Sequence, residues 1–149
     1  MNKALSVEER IQRLEDIEAI KKLTATYGLY VNKGWNNEVV DFDKLPTVLS
    51  EDARWTSTAM GFDVTGRDAL IELLRVQTAG GDFAMHSFTN PIIDIDGDTA
   101  RGNWLLWVGV KTGATANEVY LSEDIVYVRM DKGWRIQSIT MHVGTMLNS

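Results

Sequence analysis

The sequence predicts an α+β fold: one domain over residues 1–149 in which a conical, curved antiparallel sheet carries helices on its concave face. Three observations lead there. Apolar residues recur every three or four positions in the first part of the chain, the period of a helix. From Phe83 onward they alternate in long runs, the period of a strand. Two turn signals, Asp96-Gly97-Asp98 and Asp131-Lys132-Gly133, join consecutive runs into a meander.

The elements follow in order. Ser6-Val7-Glu8-Glu9 has the form of a capping box, and Ile11, Leu14, Ile17, Ile20, Leu23, Tyr27 and Val31 then predict one long amphipathic helix closing near Lys33-Gly34. A short helix is expected over Lys44 to Leu49, with Pro46 in its first turn. Ala53 to Ser57 and Phe62 to Val64 make a small hairpin, and Asp68 to Gln77 a further helix capped at Thr65-Gly66-Arg67. The meander strands are Ala84 to Phe88 with Ile92 to Ile95, Thr99 to Val110, Val119 to Met130 and Trp134 to Val143. In Gly102 to Val110 both alternating faces are apolar, so both sides of the sheet need cover. Helices cover one. The other is covered by a second copy, as a dimer or trimer, or by an arm of the same chain.

Composition narrows the function. With 149 residues, 44% of them hydrophobic, the chain can bury one sizeable core. It has no cysteine and two histidines, which removes disulfides, thiolate metal sites and cysteine nucleophiles, and a reducing, cytoplasmic setting fits. A net charge of −6 argues against nucleic acid and anionic membrane surfaces as partners. There is no signal-peptide core and no run long enough to span a bilayer, so the chain reads as mature and soluble. Phosphate loops, dinucleotide fingerprints, nucleophile elbows and metal-spaced carboxylate–histidine clusters are all missing, so no metal or cofactor is expected.

What remains is acid–base chemistry in a small cone. His86 is the best base by type, or else a hydrogen-bonded core histidine; His142, near the end of the chain, is the other imidazole. Tyr27 and Tyr30 either place their hydroxyls in the cone or pack their rings in the core, and Asn32 either contributes to the site or caps the helix. Glu123 and Asp124 are adjacent on a strand, so in a regular strand one of them faces inward, where burial raises its pKa; a bulge, or pairing with Arg101 or Arg129, is the alternative. Trp55, Met60, Met85, Trp104 and Trp107 would line the opening and suit an apolar or aromatic small molecule.

Ile17-Glu18-Ala19-Ile20-Lys21-Lys22-Leu23 with Tyr27, then Asp52-Ala53-Arg54-Trp55, Gly66-Arg67-Asp68-Ala69-Leu70, Met85-His86, Asn90-Pro91, Gly97-Asp98-Thr99-Ala100 and Gly133-Trp134 occur in an order that resembles the SnoaL-like group of the nuclear transport factor 2-like superfamily. The likeness spans nearly the whole chain and is nearest to scytalone dehydratase, bile-acid 7α-dehydratase and hexachlorocyclohexane dehydrochlorinase. It implies a cystatin-like α+β barrel, often trimeric, that performs cofactor-free eliminations. His86 matches the catalytic histidine and Tyr27 a pocket tyrosine. At position 32 those enzymes have an aspartate where this chain has Asn32, which orients an imidazole but brings no charge to stabilise its protonated form. Glu123 falls near a pocket amide of scytalone dehydratase, so an exchange of acid and amide between the two positions is expected.

The resemblance thus implies a lyase removing water or a small fragment such as formaldehyde from a hydroxylated aromatic or polycyclic compound, as in aromatic catabolism. His86, Tyr27, Asn32 and Glu123 would be catalytic, and Trp55, Met60, Trp104, Trp107, Tyr30 and His142 would bind substrate. An isomerase or cyclase using the same site, and a member that only binds ligand, are the alternatives.

Overall fold

The computed structural model describes residues 4–148. In chain order it has α1 (Val7–Tyr30), a single 3-10 turn (Leu45–Thr47), β1 (Leu49–Ser57), β2 (Phe62–Thr65), α2 (Arg67–Thr78), β3 (Phe83–Asp96), β4 (Thr99–Thr112), β5 (Thr115–Met130) and β6 (Gly133–Asn148). The six strands form one curved sheet in the order β2-β1-β6-β5-β4-β3. Pairing is antiparallel except between β1 and β6, which run parallel because the chain crosses from the first hairpin to the meander through α2. No helix among the described residues is long and apolar enough to cross a membrane.

The capping box is formed as expected: Glu9 N–H donates to Ser6 Oγ at 3.1 Å, and Ser6 N–H donates to the Glu9 carboxylate at 2.7 Å. The helix ends at Tyr30, short of Lys33-Gly34, because a competing partner takes the backbone. Lys33 N–H donates to Ala84 O at 2.9 Å and Ala84 N–H returns a bond to Lys33 O at 3.0 Å, so the chain leaves the helix to join the edge of β3. Asn32 therefore lies just past the helix, two residues beyond Tyr30. The expected helix over 44–49 shrinks to one turn because Leu49 already pairs with Ile136 of β6. β3 is a single strand rather than two, with an irregularity between Thr89 and Ile92 where Asn90 takes φ +52° beside Pro91. β4 and β5 run on to a third tight turn at Gly113 that sequence reading left open.

The apolar stripe of α1 is only half used. Ile11 and Leu14 stay exposed, and burial starts at Asp16. From there Ile20, Tyr27 and Val31 join Leu45, Leu49, Trp55, Leu70 and the inward residues of β4 to β6 in one core. At Gly28 the helix packs tightly on the sheet: a Cβ there would sit 3.2 Å from the Phe88 ring. Within the core, Tyr127 Oη shares a 2.7 Å hydrogen bond with Thr24 Oγ1 and accepts one of 2.9 Å from Trp104 Nε1, so its buried hydroxyl is satisfied.

Asp16 is the one carboxylate the first helix buries. It accepts two bonds from Arg129, at 2.8 and 2.7 Å, one from Trp134 Nε1 at 3.1 Å and one from Gln12 Nε2 at 3.2 Å, while the Arg129 guanidinium stacks on Trp134 with Cζ 4.4 Å from the ring centre. The Arg129 hydrogen bond holds the Asp16 carboxyl below its ordinary range despite its burial. The outer face of the sheet is left open: Leu105, Trp107 and Tyr120 are each at least 40% exposed, and no arm among the described residues covers them.

Replacing Asp16 with alanine leaves the Trp134 N–H and the two terminal nitrogens of the Arg129 guanidinium without their acceptor, while Arg129 Nε keeps Asp98 at 3.1 Å. The expected cost is about 3 kcal/mol in chemical denaturation, measured against a neutral surface substitution such as Glu18→Ala. Because the native pKa of Asp16 is lowered, its contribution is complete above its ordinary value of 3.8 and fades as pH falls through the native value, so parent and variant converge in acid.

Candidate active site

A cavity of about 470 Å³ opens between α1, α2 and the inner face of the sheet. Strand parity decides what it contains. On β3 the inward residues are Ala84, His86 and Phe88; on β4, Leu106, Val108 and Val110; on β5, Asn117, Val119, Leu121 and Glu123. Tyr27 comes from the last turn of α1, Trp55 from β1 and Met60 from the turn beyond it, and all three line the same space. The walls are largely apolar, with few polar groups among them.

His86 is held by Asn32. The backbone N–H of His86 donates to Asn32 Oδ1 at 2.8 Å, and His86 Nδ1 lies 3.0 Å from the same oxygen. A backbone N–H can only donate, so the amide oxygen faces the histidine; Nδ1, sharing that acceptor, must carry its proton. Nε2 is then the basic nitrogen, and it has no partner among the described residues. Burial pushes the imidazole down to about 4, so at neutral pH the ring is uncharged and can accept a proton. Asn32, itself buried, orients the ring without opposing that shift.

Glu123 stands on the far side of the cavity. His86 shares a ladder row with Val108 and Val119, and Glu123 is four residues further along β5. In a flat sheet this would be about 10 Å across and about 13 Å along, a gap that curvature shortens and a small molecule can fill. Glu123 is 3% exposed, its Oε2 has no hydrogen-bond partner, and burial pushes the carboxyl up to about 8. At neutral pH it is mostly protonated. Trp55 Nε1 is a second buried polar atom without a partner, and its ring meets that of Phe62 at 62° with the ring centres 4.7 Å apart. Burial, with a smaller contribution from Glu123, raises the Tyr27 phenol above its ordinary range.

Of the residues singled out from sequence, Tyr27, Trp55, Met60, His86 and Glu123 line the cavity, and Asn32 supports it from behind His86. The others lie elsewhere. Trp104 and Trp107 are three positions apart on a regular strand and so point to opposite faces; Trp104 is spent on Tyr127, and Trp107 is on the outer face. Tyr30 lies under the Lys44 ammonium, 5.8 Å from its ring centre, outside the cavity. His142 is on the outer face, its Nε2 2.9 Å from Asp124 Oδ2, and Asp124 also accepts from Asn103 at 2.7 Å. Glu123 and Asp124 thus face opposite ways, as a regular strand requires, while Arg129 is committed to Asp16 and Asp98. Sequence reading missed Lys33, Phe88, Leu121 and Met141, all cavity residues; alternation from His86 and Glu123 was the available signal for Phe88 and Leu121, whereas Met141 enters through its pairing with Glu123 across to β6. Among the described residues no group of three or more metal-ligating side chains converges.

Comparison with solved structures shows the same fold. A scytalone dehydratase-like protein of Novosphingobium aromaticivorans superposes with a TM-score of 0.80 at 18% identity, covering 92% of this chain and 89% of its own. A hexachlorocyclohexane dehydrochlorinase of Novosphingobium barchaimii gives 0.80 at 18%, covering 94% of each chain. A nuclear transport factor 2-like protein with a cystatin-like fold, also from N. aromaticivorans, gives 0.72 at 23%, covering 96% and 91%. No curated protein sequence matches at a significant level. The SnoaL-like domain profile matches residues 12–140, from the second turn of α1 into β6, and with that match over most of its length the chain belongs to the SnoaL-like family.

Proposed function

We propose that this protein is a lyase that eliminates water or a small fragment such as formaldehyde from a hydroxylated aromatic or polycyclic compound, using only proton transfers by its own side chains. The observation that carries the reading is the pairing, across one apolar cavity, of an imidazole kept neutral with a carboxyl kept protonated. In a dehydration, His86 Nε2 takes the proton from the carbon next to the one bearing the hydroxyl. The C–H electrons form the new double bond, the C–O bond breaks, and Glu123 protonates the departing oxygen to release water. The proton gained by His86 then returns through solvent to the Glu123 carboxylate. Tyr27 donates a hydrogen bond to the departing or polarised oxygen, Asn32 fixes the tautomer of the base, and Trp55 and Met60 contact the substrate. The lyase names of the structural neighbours support this choice of reaction over an isomerase or cyclase.

A second reading, a ligand-binding member without catalysis, draws on Asn32, which offers no charge to a protonated His86. In either case the open apolar outer face favours assembly with further copies of the chain as a dimer or trimer. The absence of cysteine suits a cytoplasmic location.

His86→Ala should lower kcat by about 100- to 10,000-fold with the fold intact by circular dichroism; a binder would lose affinity alone. The rate should follow a bell, with an acid limb near 4 from His86 and an alkaline limb near 8 from Glu123. Glu123→Gln should abolish the alkaline limb along with most of the rate, and an unchanged profile would remove Glu123 from the mechanism. Asn32→Asp places a carboxylate against Nδ1, so the His86 titration followed by NMR should rise by about one unit or more.

Glu123→Gln also has a stability signature. Between its ordinary value of 4.5 and its native value of about 8, the unfolded chain sheds this proton while the folded chain keeps it, so native stability falls as pH rises through that window. The glutamine variant lacks this loss. Its melting temperature relative to the parent should therefore climb from pH 5 to pH 9, with a gain on the order of 3 kcal/mol at the alkaline end.

A further inference from the structure

The mouth of the cavity carries a cation that the proposed chemistry does not use. Lys33 and Thr78 both line the cavity, and Lys33 Nζ donates to Thr78 O, in the last turn of α2, at 3.2 Å. No carboxylate among the described residues lies within ion-pairing distance of this ammonium. A nearby acid, Asp82, has an oxygen committed to Gly113 N–H at 2.6 Å. The backbone of Lys33 is fixed by its two bonds to Ala84, so the side chain is anchored at the rim. Among the described residues, Lys33 and Glu123 are the only lysine and carboxylate side chains that line the cavity. Beside Lys33 and Thr78, a Cβ added at Gly80 would meet nothing within 4 Å, so the rim has room for a ligand group.

We propose that Lys33 is a specificity residue that binds an anionic group of the substrate, a carboxylate or an equivalent oxyanion, at the mouth while the apolar body of the molecule enters the cavity. The inference rests on the reading of this cavity as a small-molecule site. An ammonium with one neutral acceptor and no counter-ion, at the edge of an apolar wall, gains most from an anion that comes with an apolar body attached. Row order supports the polarity of binding: Ala84 is level with Val110 and Asn117, His86 lies two residues further along β3, and Glu123 lies six residues beyond Asn117 on β5, so the anion at Lys33 and the acid at Glu123 sit towards opposite ends of the cavity with His86 between them.

The test is fluorescence titration of the full chain with two aromatic probes that differ by one charge, anilinonaphthalene sulfonate and its uncharged parent phenylnaphthylamine. The sulfonate should bind more tightly than the neutral probe, and added salt should reduce that preference. Lys33→Met should weaken sulfonate binding about tenfold, the scale of one partly buried charge-assisted contact, leave the neutral probe within about twofold, and Lys33→Arg should restore the sulfonate. Equal loss of both probes in Lys33→Met, or an unchanged sulfonate affinity, overturns the proposal while the cavity reading stands. Sulfonate binding that disappears in Trp107→Ser also overturns it, because the probe would then sit on the outer face. If neither probe binds the parent protein, the small-molecule reading of the cavity falls as well.

Discussion

The site depends on a two-bond bridge. Where α1 ends, the backbone of Lys33 exchanges hydrogen bonds with Ala84 on the edge of β3, and this short pairing brings the helix exit and the first meander strand into register. One residue before the bridge, Asn32 meets the backbone and ring of His86; the bridge residue itself turns its side chain to the rim. An exposed edge strand normally invites pairing with another chain, and here part of that edge is occupied by the protein's own helix exit. The cost of closing the loop between α1 and β3 is thus offset by contacts that also build the site.

Burial then sorts the ionisable groups. The same desolvation that drives an imidazole down drives a carboxyl up, so one apolar cavity holds an uncharged base and an uncharged acid without any ion pair between them. The contrast with Asp16 is instructive. That carboxylate is nearly as buried, but four donors surround it and it stays ionised, so it stabilises the helix instead of moving protons. Partner supply, more than depth, separates a structural acid from a reactive one.

Much of this was legible in the residues. The capping box, the meander turns, the change from helical to strand period at Phe83 and the split of Glu123 from Asp124 all follow from local rules, and the structure keeps each of them. What failed were readings that ignored parity or competition. Trp104 and Trp107 could not share a face, and the helix could not run to Gly34 once Ala84 offered its backbone. Lys33 left no trace in the pattern, since a lysine after a helix looks like solvated surface until the strand it pairs with is known.

Gly28 and the loop at Gly80-Gly81 divide the cavity into a fixed part and a pliable one. At Gly28 the helix already rests on Phe88, and hydrogen bonds linking Thr24 and the Trp104 indole N–H to the Tyr127 hydroxyl tie the same helix to the sheet. At the rim the glycine loop meets little that would resist longer side chains or an insertion. A lineage built on this framework would therefore diversify its substrates from the doorway inward, exchanging rim residues freely while the inner chamber and its acid–base pair change little.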